Sequence, residues 1–168
     1  MTPIRRLAAD QSGASLVELA LVLPLFLALL IGVFQIAILE AMSVNFNNAV
    51  LQAARHIRTN DAGRAPDAAK FRQAICEAMA GGGAGCTDKV RIIVQKFGGF
   101  AGAANPPPVK DGEQPYDPGD AGDVVLVTAT YRWPMFMPFA AAAFPRQDGL
   151  NVLITSRTLF RNEPWDAD

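Results

Sequence analysis

From Leu19 to Leu39 the chain reads LALVLPLFLALLIGVFQIAIL, without a charged residue and with Gln35 as the only strongly polar one. Coiled as an α-helix, such a run spans roughly 30 Å, about the thickness of bilayer hydrocarbon, so the pattern predicts one transmembrane helix. Pro24 lies near its start, where it removes a backbone donor and clashes with the carbonyl four residues earlier; a kink is expected there, which membrane helices tolerate. A cleaved secretory signal is the alternative. The run is longer than the usual apolar region of about 7–15 residues, and the LEAMS that follows offers no small-x-small cleavage site. Arg5 and Arg6 precede the span, whereas Arg55 and Arg58 follow at a distance, so the short terminus is expected in the cytoplasm.

The helical pattern continues past the bilayer. Met42, Phe46, Ala49, Val50, Ala53 and Ile57 recur at i, i+4, i+7, i+8, i+11 and i+15, while Asn45, Asn48, Gln52 and Arg55 fall on other faces. One helix from about Ser15 to Arg58 is implied, ended by the turn residues of TNDAGRAP. Asp67 is placed to cap a second helix with Phe71, Ile75, Ala78 and Met79 as its stripe, and the GGGAG of residues 81–85 stops it. Three period-two segments follow: VRIIVQKF (90–97), VVLVTATYRW (124–133) and NVLITSRTLF (151–160). Val125, Val127, Ala129, Tyr131 and Trp133 share one face of the second; Val152, Ile154, Ser156, Thr158 and Phe160 share one face of the third. The expected fold is α+β, a three-stranded antiparallel sheet leaning on the long helix, with the second helix alongside. Three regions follow: 1–13 as a cytoplasmic leader, 14–58 as the long helix with 19–39 in the membrane, and 59–168 as one extracytoplasmic domain.

Charge changes the picture by exclusion. The formal net charge is −1 at pH 7, and setting aside Arg5, Arg6, Asp10 and Glu18 removes two charges of each sign, so the outer domain is nearly neutral as well. Phosphate backbones demand a basic footprint, and nucleic acid is therefore not an expected partner. Cys76 and Cys86 fit neither a C-x-x-C redox motif nor a four-ligand zinc site, and His56, the lone histidine, does not complete one. In an oxidising compartment the pair reads as a disulfide closing a short loop; two free buried thiols are the alternative.

The GGGAG cluster lacks the G-K-[ST] of a phosphate loop and follows a helix, so no nucleotide site is read there. The linker from Gly98 to Gly122 is dense in Gly and Pro and expected to be irregular. Asp117, Asp120 and Asp123 near its end do not match D-x-[DN]-x-[DN]-G and read as solvated turn residues; a calcium site is the other reading. The segment MFMPFAAAAFP, Met135 to Pro145, carries no charge. It either folds inward as core or exposes Phe136, Phe139 and Phe144 as a partner surface or membrane rim. Ser12 and Ser15 have no nearby histidine and the acids are scattered through turns, so no catalytic constellation, cofactor or metal is expected.

Glu18 stands at the start of the apolar run. Ser15-Leu16-Val17-Glu18 matches the S-x-x-E capping box, and an acid there also favours the positive end of the helix dipole. With it stand a short leader carrying two arginines, then Gly13, Ala14 and Ser15, then an uncharged helix. This constellation resembles the class III signal of type IV pilin-like proteins. The resemblance implies a cut by a prepilin peptidase between Gly13 and Ala14, leaving Glu18 as the fifth residue of the product. An ionised carboxylate there offsets the cost of holding the new Ala14 amine at the edge of low dielectric, and in a stack of such helices Glu18 of one subunit pairs with the Ala14 amine of the next.

Over GASLVELALVLPLFLALLIGVFQIAI, NAVLQAARHIRT and the closing FRNEPW, the chain is similar to TadE-like proteins, minor pilin-like components of tight-adherence (Flp) pilus systems; TadF-like proteins share the plan. The resemblance implies a single-pass protein of the bacterial inner membrane with its domain in the periplasm, whose partners are the prepilin peptidase, other pilins, the assembly platform and membrane lipid. A membrane-anchored binding domain that does not assemble is the alternative.

Overall fold

The computed structural model describes residues 13–61, 65–81, 85–110, 112–144 and 149–165, with the backbone alone for residues 14, 139 and 140. The expected leader, Gly13 apart, lies outside the described residues, as do residues 82–84.

A single helix, α1, runs from Ala14 to Arg58 and passes through Pro24 without a break. Its two halves differ in what surrounds them. Only 6% of its most apolar stretch is buried in protein, which distinguishes it from the core helix of a soluble domain. Beyond the apolar run, Phe46, Ala49, Val50, Ala53 and Ile57 are buried as the stripe predicts, joined by Ala54 and by Leu39 at the end of that run; Met42 is partly buried. The basic last turn, with Arg55, His56 and Arg58, complements the helix dipole.

The start of α1 departs from the capping-box expectation. Gly13 is the N-cap, with φ −84° and ψ −20°, and among the described residues no side chain caps the helix. A capping serine needs an extended backbone just outside the helix. Ser15 is already inside it, Val17 N–H bonds Gly13 O at 3.2 Å, and Glu18 lies beyond the first turn.

Asp67 does cap the second helix, α2 (Ala68–Ala78): its Oδ1 accepts from the Ala69 and Lys70 amides, both at 2.8 Å. Phe71, Ile75 and Met79 are buried beneath it. A four-residue helix, α3 (Cys86–Lys89), leads into β1 (Val90–Phe97), entered through Gly85 at φ +81°, a conformation that favours glycine. β2 spans Val124–Pro134 and β3 Asn151–Arg161. The sheet order is β1-β2-β3, antiparallel throughout, with Val94 opposite Val127 and Val127 opposite Thr158. The inward residues Ile92, Val94, Val125, Val127, Ala129, Val152 and Ile154 face α1 and α2 in one core.

The linker after β1 is more ordered than its composition implies. Phe100–Ala103 form a short helix, α4, which buries Ala103. Further on, Tyr116 forms a parallel bridge to Val94, with Val94 N–H bonding Pro115 O at 2.9 Å and Asp117 N–H bonding Val94 O at 3.0 Å. Pro115 supplies a carbonyl without needing a partner for a donor, so the linker covers part of the open edge of β1.

Candidate assembly and membrane-contact site

Three groups of residues bear on function: the start of α1, the apolar connection between β2 and β3, and the polar ties that lock the domain to α1. Gly13 is exposed and Ala14 is the first helical residue. Glu18 is exposed and stands one turn above Ala14, on the same face of α1. From Leu16 to Ile31 the large apolar side chains are open, Leu21 being 75% exposed. A run of this length needs hydrocarbon or other helices around it.

The connection between β2 and β3 divides between both expectations. Met135 and Ala141 are buried, and Met137 and Phe144 pack against the core while partly exposed; Phe136 is 81% exposed. For Phe139 only the backbone is described, as part of α5 (Pro138–Ala141). α5 lies against α1. There Gly32, Gln35 and Leu39 are buried at i, i+3 and i+7, which is one face of the helix. Gln35 Oε1 accepts a hydrogen bond from the Met137 amide at 3.1 Å. The one strongly polar residue of the apolar run thus ties the loop to the helix, a role that a pattern of hydropathy does not reveal.

Cys76 and Cys86 form a disulfide, with Cα atoms 6.0 Å apart, linking α2 to α3. Asn45, expected only to lie off the apolar stripe, clamps the end of α2: its Nδ2 donates to Ala80 O at 2.8 Å and its Oδ1 accepts from Ala80 N–H at 3.2 Å. The Ser156 hydroxyl donates to Asn47 Oδ1 at 2.7 Å, joining β3 to α1. In the closing FRNEPW, Asn162 is buried and its Nδ2 donates to Pro118 O and Asp120 O at 2.9 and 3.0 Å. Next to it the Glu163 amide bonds Arg58 O at 3.0 Å, and the two side chains pair at 3.2 Å. The segment that follows β3 is thereby fastened to the end of α1.

The acidic triplet organises its own turn. Asp117 Oδ1 accepts from Gly119 N–H at 3.1 Å and Asp123 Oδ2 from Asp120 N–H at 2.9 Å. Lys96 Nζ lies 3.8 Å from Asp117 and 3.4 Å from Asp120. Those two carboxylates, Asp117 first, hold the Lys96 ammonium above the usual lysine range. A shallow cleft of roughly 680 Å³ lies between α2 and the sheet, lined by Arg72, Arg91, Arg132 and Gln114. Arg132 is engaged with Asp88 O at 2.8 Å and Arg72 with Gln114 Oε1 at 3.0 Å.

These features define a class: an α+β domain borne on one helix long and apolar enough to cross a membrane, the only such helix among the described residues. Comparison with known families makes it more specific. The family model described as TadE-like protein matches residues 13–55. The match begins at the N-cap of α1 and ends near its last turn, so the resemblance read from the sequence is found over the long helix. No curated protein and no solved structure matches the chain.

Proposed function

We propose that the protein is a minor pilin-like subunit of a Tad/Flp type IV pilus system, cut by a prepilin peptidase between Gly13 and Ala14 and taking part in pilus assembly for surface adherence. The observation that carries this reading is the match to TadE-like proteins over residues 13–55, which starts at the proposed cleavage residue. The exposed apolar side chains of α1 support it, since a stretch so little buried among the described residues suits both lipid and the packed helices of a fibre. The domain lies in the periplasm and the leader in the cytoplasm of a bacterium, with α1 in the inner membrane; the Cys76–Cys86 disulfide fits an oxidising compartment.

In this reading Glu18 receives no duty from its own helix cap and is free to act between subunits. Cleavage creates an α-amine on Ala14, and Glu18 of a neighbouring subunit neutralises it at the membrane edge, fixing the axial register of adjacent helices. The partners are the prepilin peptidase, the other pilins, the assembly platform and membrane lipid, and the role is structural and not catalytic.

The deciding experiment is the N-terminal mass of protein extracted from native membranes, with and without an active prepilin peptidase. A start at Ala14 that depends on the peptidase supports the proposal, and co-purifying pilins extend it to assembly. A mature chain that keeps Arg5 and Arg6 refutes it and leaves a permanently anchored binding domain. Glu18→Ala is expected to insert normally but to be lost from the assembly; normal incorporation of the variant would rule out the pairing role.

A further inference from the structure

We propose that residues 135–144 of the connection between β2 and β3, centred on Phe136, insert into the outer leaflet of the membrane beside α1, so that the domain is held on the bilayer at two points. The inference rests on α1 crossing a bilayer and not on the pilin assignment.

Depth is fixed by α1. The charges that bracket its apolar run are Glu18 and Glu40, separated along the axis by roughly 33 Å, close to the hydrocarbon thickness of about 30 Å. With both carboxylates at the boundaries, Gln35 lies about 7 Å below the outer one. The Met137 amide is bonded to Gln35 Oε1 at 3.1 Å, so the loop is held at that depth and not above it. Neighbouring residues on the other faces of α1 at this level, Val33, Phe34, Ile36 and Ile38, remain exposed at 68%, 61%, 39% and 55%. Phe136, next in the chain to Met137, is 81% exposed.

The loop's composition and four of its backbone amides suit such a place, while Gln35 Nε2 is buried without a partner among the described residues. The loop carries no charge from Trp133 to Pro145. Backbone polar groups in hydrocarbon must be satisfied within the protein, and here Met135 N–H bonds Leu150 O, Ala141 N–H bonds Met137 O, Ala142 N–H bonds Pro138 O and Phe144 N–H bonds Ala141 O, at 3.1, 3.0, 3.0 and 3.3 Å. Pro134 and Pro138 have no donor to satisfy. Trp133, half-buried where β2 runs into the loop, is the residue type that favours the interface. A partner protein would cover Phe136 equally well, but no partner removes the loop from the depth that Gln35 imposes; lipid is the occupant that the bond to Gln35 selects. One helix leaves a domain free to rotate and tilt, and the second contact sets its height and facing.

The test is depth-resolved quenching of a fluorophore on single cysteines in the full chain, reconstituted into phosphatidylcholine–phosphatidylglycerol vesicles. Phe136→Cys reports the loop tip, and Ala142→Cys, also exposed, reports it with Phe136 in place. Leu29→Cys marks mid-membrane and Arg55→Cys marks water. With iodide on both sides of the vesicle wall, quenching at 136 and 142 is expected to be several-fold weaker than at 55. Lipids with a doxyl group near the headgroup should quench both sites more than lipids labelled near the chain end, the reverse of Leu29. Iodide quenching at 136 and 142 as strong as at 55, with Leu29 still in lipid, overturns the proposal and spares the anchor. Shielding from both iodide and doxyl lipids means that protein covers the loop, and also overturns it. Loss of lipid quenching at Leu29 instead removes the anchor itself.

Discussion

Breaking the Cys76–Cys86 disulfide tests how far the small domain depends on its covalent link. The cysteines are ten positions apart, and for a loop of that length the chain-entropy relation gives a lost entropy near 9 cal/mol/K in the unfolded state, about 2.7 kcal/mol at 25 °C. Both sulfurs are buried, Cys76 at 8% and Cys86 at 5% exposure, so reduction leaves two thiols in the same packing and the cross-link is the main change. Unfolding a cooperative unit of about 120 residues carries roughly 250 cal/mol/K, which converts that energy into a Tm lower by on the order of 10 °C. The measurement is thermal melting of the full chain in detergent, followed by far-ultraviolet circular dichroism and tryptophan fluorescence, with and without a phosphine reductant. A Cys76→Ala/Cys86→Ala variant should melt near the reduced protein and ignore the reductant. A reduced form that melts within about 2 °C of the oxidised one would refute the reasoning, because the chain-entropy relation would then not hold for this loop.

Other substitutions probe separate supports. Asp67→Ala removes the acceptor for two amides at the start of α2 and should destabilise the domain by about 1 kcal/mol, seen as a small fall in Tm, whereas Asp67→Asn should retain most of it. Phe46→Ala empties a fully buried site on α1, where the ring lies 5.6 Å from that of Tyr131; a loss of about 3–5 kcal/mol is expected in denaturant melts. Tyr116, raised first by burial and then by the charge of Asp67, keeps its proton in the folded state above the usual tyrosine pKa near 10, and burial raises Tyr131 in the same direction. The unfolded chain loses those protons first, so the contribution is complete below pH 10 and is lost as pH rises towards the folded values; stability measured above pH 10 should fall with pH. Tyr116→Phe should flatten that slope, while costing on the order of 1 kcal/mol at neutral pH through loss of the hydrogen bond to Ala65 O at 2.6 Å.

Periodicity alone was enough for the long elements and the faces they bury, and not for the short helices α3, α4 and α5. The uncharged run of 19–39, the stripe through Phe46, Val50 and Ile57, and the alternation along Val125, Val127 and Ala129 all reflect a local rule, that side chains repeat every 3.6 or 2 residues and apolar ones leave water together. Asp67 was legible for the same reason, since its partners are its own near neighbours. Ser15 shows the limit of that local rule: the spacing to Glu18 suits a capping box, but capping depends on where the backbone turns helical, and it does so at Ala14. What lies beyond any local pattern is pairing between distant segments. Gln35 with Met137, Asn45 with Ala80, Asn47 with Ser156 and Asn162 with Pro118 and Asp120 are contacts across 35 to 109 positions. An amide side chain looks the same in sequence whether it faces water or a carbonyl from the far side of the fold. The loop of 135–144 makes the same point: its composition announced that it leaves water, and only the packing of α5 on α1 decided which residues turn to the core and which, like Phe136, turn outward.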